Sequence, residues 1–181
     1  MSETELTVGR HCAAALAGIK PACIVNCAVR GEKRIAEIAD GFAKKGADVS
    51  FEVLKKYKSR FLLMVYRKSV LEKHLLKSEN GGFLRTFGYP ERVSADAYVG
   101  ALKEKFKGGD FPHEIGIFLG YPREDVEGFI ADPSAYEVCG PWKVYAGAEE
   151  KKRVFERYKR CSENICGRLL NGCGLNGIFS K

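Results

Sequence analysis

Apolar residues recur at three- and four-residue steps in several segments of the chain, which is the pattern of a helix with one buried face. The segment from Glu32 to Lys45 is the clearest example, and the Gly46 that follows it is a residue type that often ends a helix. Ser94 precedes a second such segment and has the side chain of a good N-terminal cap. Further helices are predicted for "RKSVLEKHLLKS", for "NGGFLRTF", for the residues after Pro122 and for the residues from about Ala148 to Leu170.

Two neighbouring segments have the patterns of strands. Val49, Phe51 and Val53 alternate with polar residues, which predicts a half-buried strand. The segment "RFLLMVY" is almost continuously apolar, which predicts a fully buried strand, and the polar turn "KKYKS" between the two predicts a β-hairpin. Strands are also predicted for Ile115 to Leu119 and for Trp142 to Tyr145. The segment "ACIVNCAV" has strand-like content, with a buried helical turn as the alternative.

These elements predict one domain of the α/β or α+β class, with a mixed sheet of about four or five strands that contains the hairpin and is packed by helices. At 181 residues the chain is long enough to bury a core without disulfides or metals as staples. We expect this domain to span residues 11–171. Residues 1–10 are predicted as a disordered lead-in and residues 172–181 as a glycine-rich tail.

The composition indicates where the protein works. The chain has no apolar run long enough for a membrane span and no signal-peptide pattern at its N-terminus. We therefore expect a cytoplasmic protein without a membrane partner. Its seven cysteines have no regular spacing, which predicts free thiols in a reducing compartment.

The net charge of +7 is distributed unevenly along the chain. Residues 111–140 carry six acidic side chains and one basic side chain, whereas the basic residues elsewhere are mostly mixed with acids at helical spacing. No nucleic-acid motif is present, and we expect no nucleic-acid partner. The acidic segment is a candidate docking face for a protein that the sequence does not identify.

The most suggestive residues for chemistry lie in the N-terminal "HC" and in "FPHEIGIFLGYPREDVEGFI". Cys12 is predicted near the start of a helix, where the helix dipole would lower the pKa of its thiol. His113 can accept and return a proton near neutral pH, and Glu114 beside it can orient it or act as an acid. We therefore predict Cys12, His113 and Glu114 as catalytic residues. The alternative interpretation is structural, with Cys12 as a small buried side chain and His113 as a cap of a strand.

The order of Cys12 and His113 resembles that of papain-like thiol enzymes, in which the cysteine begins a helix and the histidine lies on a strand across the cleft. That resemblance implies a thiol-dependent hydrolase or transferase, with Asp132 as the group that would orient the histidine.

A competing hypothesis uses some of the same side chains as ligands of a metal or a haem. The candidate ligands are His11, Cys12, His113 and either Cys139 or Cys161. Their spacing matches no known ligand pattern, so we assign no metal site.

Residues near the predicted strand ends are candidates for binding an anionic ligand, because ligands often bind there in α/β folds. These residues are Lys20, Tyr66, Arg67, Lys143 and Tyr145. The residues that we predict as ligand-binding are His11, Lys20, Tyr121, Lys143 and Tyr145. Ordinary surface packing explains each of these side chains equally well.

The stretch from Phe111 to Ile130, followed by "GPWKVY" and "FERYKRC", resembles an uncharacterised bacterial family, a domain of unknown function. The N-terminal "HC" followed by "LAGIK" is similar to that family as well, so the resemblance covers nearly the whole chain. It implies a stand-alone cytoplasmic protein with no assigned reaction. The positions that match its motifs are His11, Cys12, Lys20, His113, Glu114, Tyr121, Asp125, Trp142, Lys143, Tyr145 and Cys161. The segment "ADPSAYEVC" is similar to a variable connection, which weakens a role for Asp132.

The sequence therefore supports two classes of function. In the first, the protein is a small-molecule or thiol-dependent enzyme with its site around Cys12 and His113. In the second, it binds a metal, a haem or an anionic small molecule without catalysis, or it binds a protein partner through residues 111–140. The residues identify neither a cofactor nor a reaction.

Overall fold

The computed structural model describes residues 2–179 of the chain. The helices of these residues are α1 (Glu3–Leu16), α2 (Glu32–Lys44), α3 (Lys68–Leu75), α4 (Ser78–Thr86), α5 (Ala95–Lys105), α6 (Ile115–Phe118), α7 (Arg123–Ala131), α8 (Ala148–Leu170) and α9 (Leu175–Ile178). The strands are β1 (Ala22–Ala28), β2 (Ser50–Lys56), β3 (Arg60–Tyr66), β4 (Val138–Cys139) and β5 (Lys143–Val144). None of the helices within residues 2–179 is long and apolar enough to cross a lipid bilayer.

An antiparallel sheet of β1, β2 and β3 separates two hydrophobic clusters. The strand order is β1–β3–β2, so the apolar β3 has a partner on each side. Alternate side chains of a strand point to opposite faces of its sheet. Cys23 and Val25 of β1 accordingly pack in the cluster with α1, α2, α8 and α9. Ala22 and Ile24 pack in the other cluster, with residues from α3 to α7.

The helices and the hairpin with the strongest sequence patterns are confirmed. β2 and β3 form the predicted hairpin, with a β-bulge between Val53 and Lys55. Ser94 caps α5 by accepting a hydrogen bond from the Ala97 N–H at 3.3 Å. α8 has the predicted bounds, and α2 ends just before Gly46, whose φ of +64° suits a residue without a side chain.

The prediction of a single domain of the α/β or α+β class is confirmed, and the observed class is α+β. The predicted mixed sheet of four or five strands is instead an antiparallel sheet of three strands, and the other two strands of the described residues form a separate sheet. β4 and β5 pair only with each other, and each has just two residues. Trp142 and Tyr145, which we expected within one strand, flank β5 on either side. The short hairpin lies outside the main sheet because its contacts are with α7, as described below.

The prediction of a strand from Ile115 to Leu119 is wrong, because this run forms the short helix α6 and the residue after it. A short apolar run has no periodicity that separates a buried strand from a buried helical turn. The turn closes through a hydrogen bond from the Leu119 N–H to the Ile115 carbonyl at 3.0 Å. The ring of His74 also bonds to the Ile117 carbonyl at 2.9 Å, which fixes the turn against α3.

The N-terminal segment differs from the disordered lead-in that we predicted over residues 1–10. Residues 3–10 form the first turns of α1, with Ser2 as its N-cap, while residue 1 lies outside the described residues. Glu5 explains the difference, because it is only 3% exposed and binds two distant groups. Its carboxylate accepts hydrogen bonds from Arg34 Nη2 at 2.9 Å and from the Leu175 N–H at 2.8 Å.

The glycine-rich tail predicted over residues 172–181 is also packed against the domain in its described part. It contains α9, in which Leu175 is fully buried and Ile178 is 8% exposed. Residues 180 and 181 lie outside the described residues. The glycine content of this segment predicts a flexible chain, but its contact with Glu5 near the start of α1 fixes it against the domain.

Candidate functional site

A cavity of about 360 Å³ lies between α6, α7 and the β4–β5 hairpin. Most of its lining side chains are apolar and several are aromatic, and we call it the aromatic cavity. Its lining residues are Ile24, Phe111, His113, Ile115, Gly116, Leu119, Tyr121, Asp125, Val126, Phe129, Cys139, Gly140, Pro141, Trp142 and Lys143. The volume falls at the lower end of the range for small-molecule sites.

Asp125 holds the β4–β5 hairpin against α7. Its carboxylate is buried and accepts a hydrogen bond from Trp142 Nε1 at 2.8 Å and another from the Tyr145 backbone N–H at 2.7 Å. Lys151 at the start of α8 forms an ion pair of 2.9 Å with Glu124, the neighbour of Asp125. The position of Trp142 in the cavity wall therefore depends on one side chain of α7.

Aromatic rings form the part of the wall nearest to α8. Trp142 stacks on Tyr121, with ring centroids 4.7 Å apart and planes at 22°, and meets Phe155 edge-on at 4.5 Å. The Lys20 ammonium lies 5.0 Å from the ring centroid of Tyr121 and 5.6 Å from that of Tyr158. Burial raises the pKa of Tyr121, so its phenol stays protonated at neutral pH. Tyr121, predicted as a ligand-binding residue, thus lies in the wall of this cavity.

His113 is exposed to solvent and lines the aromatic cavity. Its ring centroid lies 5.4 Å from that of Phe111 and 5.1 Å from that of Phe129. Within residues 2–179, neither of its ring nitrogens has a hydrogen-bond partner. A neutral imidazole has one donor and one acceptor, and both are therefore available to a molecule in the cavity.

Glu114 points away from His113 and does not line the aromatic cavity. It is 4% exposed and accepts a hydrogen bond from the Tyr89 hydroxyl at 2.9 Å, with Lys105 Nζ 3.8 Å away. Burial and the nearby Glu114 carboxylate raise the pKa of Tyr89 far above its usual range. These contacts join the start of α6 to the core, and they leave Glu114 without a geometry for orienting His113.

The structure does not bring Cys12 and His113 together. Cys12 is fully buried in the cluster on the α1 side of the sheet, whereas the aromatic cavity includes Ile24 from the opposite side. Cys12 also lies in the C-terminal half of α1, so no helix N-terminus stabilises its thiolate. Burial raises the pKa of its thiol well above the ordinary range, and Cys23 and Cys27 add to the rise. The accessible thiolate that a nucleophile needs is therefore missing.

Iodoacetamide should leave Cys12 of the native protein unmodified and should modify Cys139 and Cys173, because the last two thiols are exposed. Peptide-resolved mass spectrometry after labelling at about pH 8 measures the reaction of each cysteine. Labelling in urea should modify all seven and serves as the positive control. A native Cys12 that reacts as fast as Cys139 would contradict its buried position.

His11 and Lys20 line a second cavity of about 250 Å³ between α1 and α8. Several of its polar side chains are cationic, and we call it the basic cavity. Its lining residues are Arg10, His11, Ala13, Ala14, Lys20, Cys23, Pro141, Phe155, Tyr158, Lys159 and Ser162. Pro141 lines both cavities, which are therefore neighbours across the tip of the β4–β5 hairpin.

The other two predicted ligand-binding residues lie on or beside the hairpin. Lys143 lines the aromatic cavity, donates a hydrogen bond to the Pro133 carbonyl at 2.7 Å and lies 4.7 Å from the ring centroid of Tyr136. Tyr145 does not line the cavity, because its ring packs over Gly128 of α7. Its buried hydroxyl has no hydrogen-bond partner among the described residues.

Three other residues that the sequence suggested for a site, Tyr66, Arg67 and Asp132, form contacts within the chain instead. Tyr66 donates a hydrogen bond to Asp96 at 2.7 Å, and Arg67 donates to the carbonyl of Leu16. Asp132 lies at the end of α7, where a local turn supplies its hydrogen bonds. None of these three lines the aromatic or the basic cavity among the described residues.

No group of three or more His, Cys, Asp or Glu side chains within residues 2–179 is arranged to hold a metal ion. The acidic segment 111–140 also has less negative charge at the surface than its composition indicates. Two of its six acids are buried, and two others, which lie at the surface, form ion pairs with basic side chains. The buried pair is Glu114 and Asp125, and the ion-paired residues are Glu124 and Glu127.

Sequence reasoning did not identify Asp125 and Trp142 as site residues, although both lie in the motifs. The available signals were that Trp142 is the single tryptophan of the chain and that Asp125 is an acid in the first turn of a helix. An acid at that position is sufficiently explained by its favourable contact with the helix N-terminus, so the residue type does not by itself indicate a further role. Phe111 and Phe129 meet at His113 only because α6 and α7 fold back on each other, and no local pattern indicates that contact.

Searches of curated proteins and of solved structures found no match to the chain. A family model described as "Protein of unknown function (DUF3793)" matches residues 8–179, a range that includes both cavities. Since this match spans most of the 181 residues, the chain belongs to the DUF3793 family of proteins of unknown function.

Proposed function

We propose that the protein binds a small, largely apolar organic molecule in the aromatic cavity, without covalent chemistry at a cysteine. The position of His113 carries the proposal. Its imidazole lines an apolar cavity of about 360 Å³, and its two ring nitrogens have no partner within residues 2–179. Apolar walls with a few polar groups are typical of small-molecule sites.

The rings of the aromatic cavity favour a flat ligand. Phe111 and Phe129 flank His113, and the stacked pair of Trp142 and Tyr121 forms another part of the wall. Aromatic groups pack well on such rings in offset-stacked or edge-on arrangements. A ligand of one or two fused rings, with one polar group for His113, therefore matches the chemistry of the lining residues.

The thiol-dependent enzyme suggested by the sequence would need Cys12 beside His113. The sheet lies between these two residues, and the Cys12 thiol is fully buried with a raised pKa. Glu114 bonds to Tyr89 instead of to His113. The contacts around His113 therefore favour a binding residue over the base of a catalytic pair.

Binding of 1-naphthol, an uncharged two-ring probe, tests this proposal. We expect a Kd of roughly 0.1 to 1 mM by calorimetry, because a probe with so few atoms has limited binding energy. The Nε1–H resonance of Trp142, the single indole of the chain, should shift on binding. Cys139→Phe should fill the cavity from an exposed position and weaken the affinity about tenfold or more.

Cys173→Phe is the matched control, because Cys173 is also exposed but lies between α8 and α9, outside the aromatic cavity. Its affinity for 1-naphthol should equal that of the wild type. His113→Ala should weaken binding about fivefold to tenfold, which is the contribution of one hydrogen bond. Equal affinities of the wild-type and Cys139→Phe proteins, or no binding by the wild type, would overturn the proposal.

A further inference from the structure

The basic cavity contains positive charge without a matching negative charge. Lys20 is 7% exposed and lines the cavity, and the exposed Arg10 and Lys159 line it as well. Among the described residues, no Asp or Glu lines this cavity, and none of the three cations forms an ion pair. Burial of an ammonium group without a counter-charge is unfavourable, so Lys20 needs an explanation.

The groups beside Lys20 do not balance its charge at neutral pH. Its ammonium lies 5.0 Å from the ring centroid of Tyr121 and 5.6 Å from that of Tyr158, and neutral rings attract a cation only weakly. Burial raises the pKa of both phenols and of the Cys23 thiol, so all three groups stay protonated. The charge of Lys20 is therefore available to an anion that enters the cavity.

We infer that the basic cavity is a binding site for a phosphate group, with Lys20 in its wall and Arg10 and Lys159 at its exposed side. Three basic side chains match the double charge of a phosphate better than the single charge of a carboxylate. Arginine can bind two phosphate oxygens at once, while lysine acts as a point charge. His11, which also lines the cavity, adds a further hydrogen-bonding group.

The volume of about 250 Å³ admits the phosphate group of either inorganic phosphate or a small phosphate ester. The two sources present the same chemistry to Lys20. The inference does not depend on the proposed ligand of the aromatic cavity, because Lys20 and His113 line different cavities.

Titration calorimetry with inorganic phosphate and with phenyl phosphate, at constant ionic strength, tests the inference. We expect the wild type to bind phosphate with a Kd below about 1 mM, and Lys20→Met to weaken the binding about tenfold or more. Tighter binding of phenyl phosphate would support a phosphate ester as the ligand, and equal or tighter binding of inorganic phosphate would support the free ion. No binding of either probe by the wild type would overturn the inference.

Lys152→Met is the matched control on α8, because Lys152 is exposed, pairs with Glu149 at 2.6 Å and does not line the cavity. Its phosphate affinity should equal that of the wild type. Lys159→Met changes an exposed side chain and should not disturb folding. It therefore tests the basic cavity even if the Lys20→Met protein does not fold. It should weaken phosphate binding about threefold, as expected for one solvent-exposed charge. Wild-type affinity in both the Lys20→Met and Lys159→Met proteins, or an equal loss in Lys152→Met, would show that the basic cavity is not the site.

Discussion

Asp125→Ala should lower the free energy of unfolding by about 3 to 5 kcal/mol. The substitution leaves two buried donors without their acceptor, namely Trp142 Nε1–H and the backbone N–H of Tyr145. The β4–β5 hairpin then loses the two hydrogen bonds that join it to Asp125 of α7, and the wall of the aromatic cavity that contains Trp142 is weakened. Urea unfolding followed by far-UV circular dichroism measures the free energy. The emission of Trp142, the single tryptophan, should shift to longer wavelength as water reaches the ring.

Glu127→Ala is the control on the same helix. Glu127 is exposed and pairs with Arg123 at 2.7 Å, a kind of surface ion pair that contributes about 0.5 kcal/mol or less. The loss of unfolding free energy in Asp125→Asn should lie between those of Asp125→Ala and Glu127→Ala. The Asn amide keeps one acceptor oxygen but turns an NH₂ group toward the other donor. An Asp125→Ala protein as stable as Glu127→Ala would show that other contacts hold the hairpin.

Glu5→Ala should lower the free energy of unfolding by about 2 to 4 kcal/mol, although it lies near the N-terminus. The carboxylate is buried and joins α1 to Arg34 of α2 and to the N–H of Leu175 at the start of α9. Glu3→Ala is a matched control in the same helical turn, since Glu3 pairs with Arg30 on the surface at 2.6 Å. That ion pair is about three-quarters exposed, and its loss should cost about 0.5 kcal/mol or less. Equal stabilities of the two variants would contradict the role of Glu5.

The contribution of Glu5 should also depend on pH. Burial by itself raises the pKa of Glu5, but the hydrogen bonds from Leu175 and Arg34 outweigh burial, and the pKa is lower than usual. The ionised form therefore stabilises the fold above the ordinary pKa of 4.5, and the stabilisation is lost as the pH falls through the folded-state pKa. The difference in unfolding free energy between the wild type and Glu5→Gln should accordingly narrow below about pH 4.5. A difference that stays constant over this range would argue against a charged Glu5.

The sequence was sufficient for the elements with long and regular patterns. α2, α5 and α8 repeat their apolar residues over several turns, and the β2–β3 hairpin combines an alternating strand with a continuously apolar one. These patterns are local, because each follows from burial of one face of one element. The resemblance to a family of unknown function is likewise confirmed by the match over residues 8–179, since motifs are properties of the sequence itself.

The sequence was insufficient to predict features that depend on how two distant segments pack against each other. Cys12 and His113 follow an order that suggests a thiol enzyme, but their separation depends on which face of β1 each one packs against. A side chain of β1 changes face at every residue, so order along the chain carries no information about proximity across the sheet. The sequence likewise does not show that Lys20 lacks a counter-ion among the described residues, because the side chains around Lys20 are known only from the folded structure.

By itself, the sequence determined a single domain of mixed helices and strands, the main amphipathic helices, the hairpin and the membership in the family. The tertiary structure decided that Ile115 to Phe118 is helical and that residues 3–10 and 175–178 pack on the domain. It also divided four of the five predicted ligand-binding residues between two cavities and left Tyr145 outside both. The physical reason is the range of the interactions. Hydrophobic periodicity acts within one element, whereas the hydrogen bonds of Glu5 and Asp125 join residues far apart in the chain, and only the folded chain places those partners within reach.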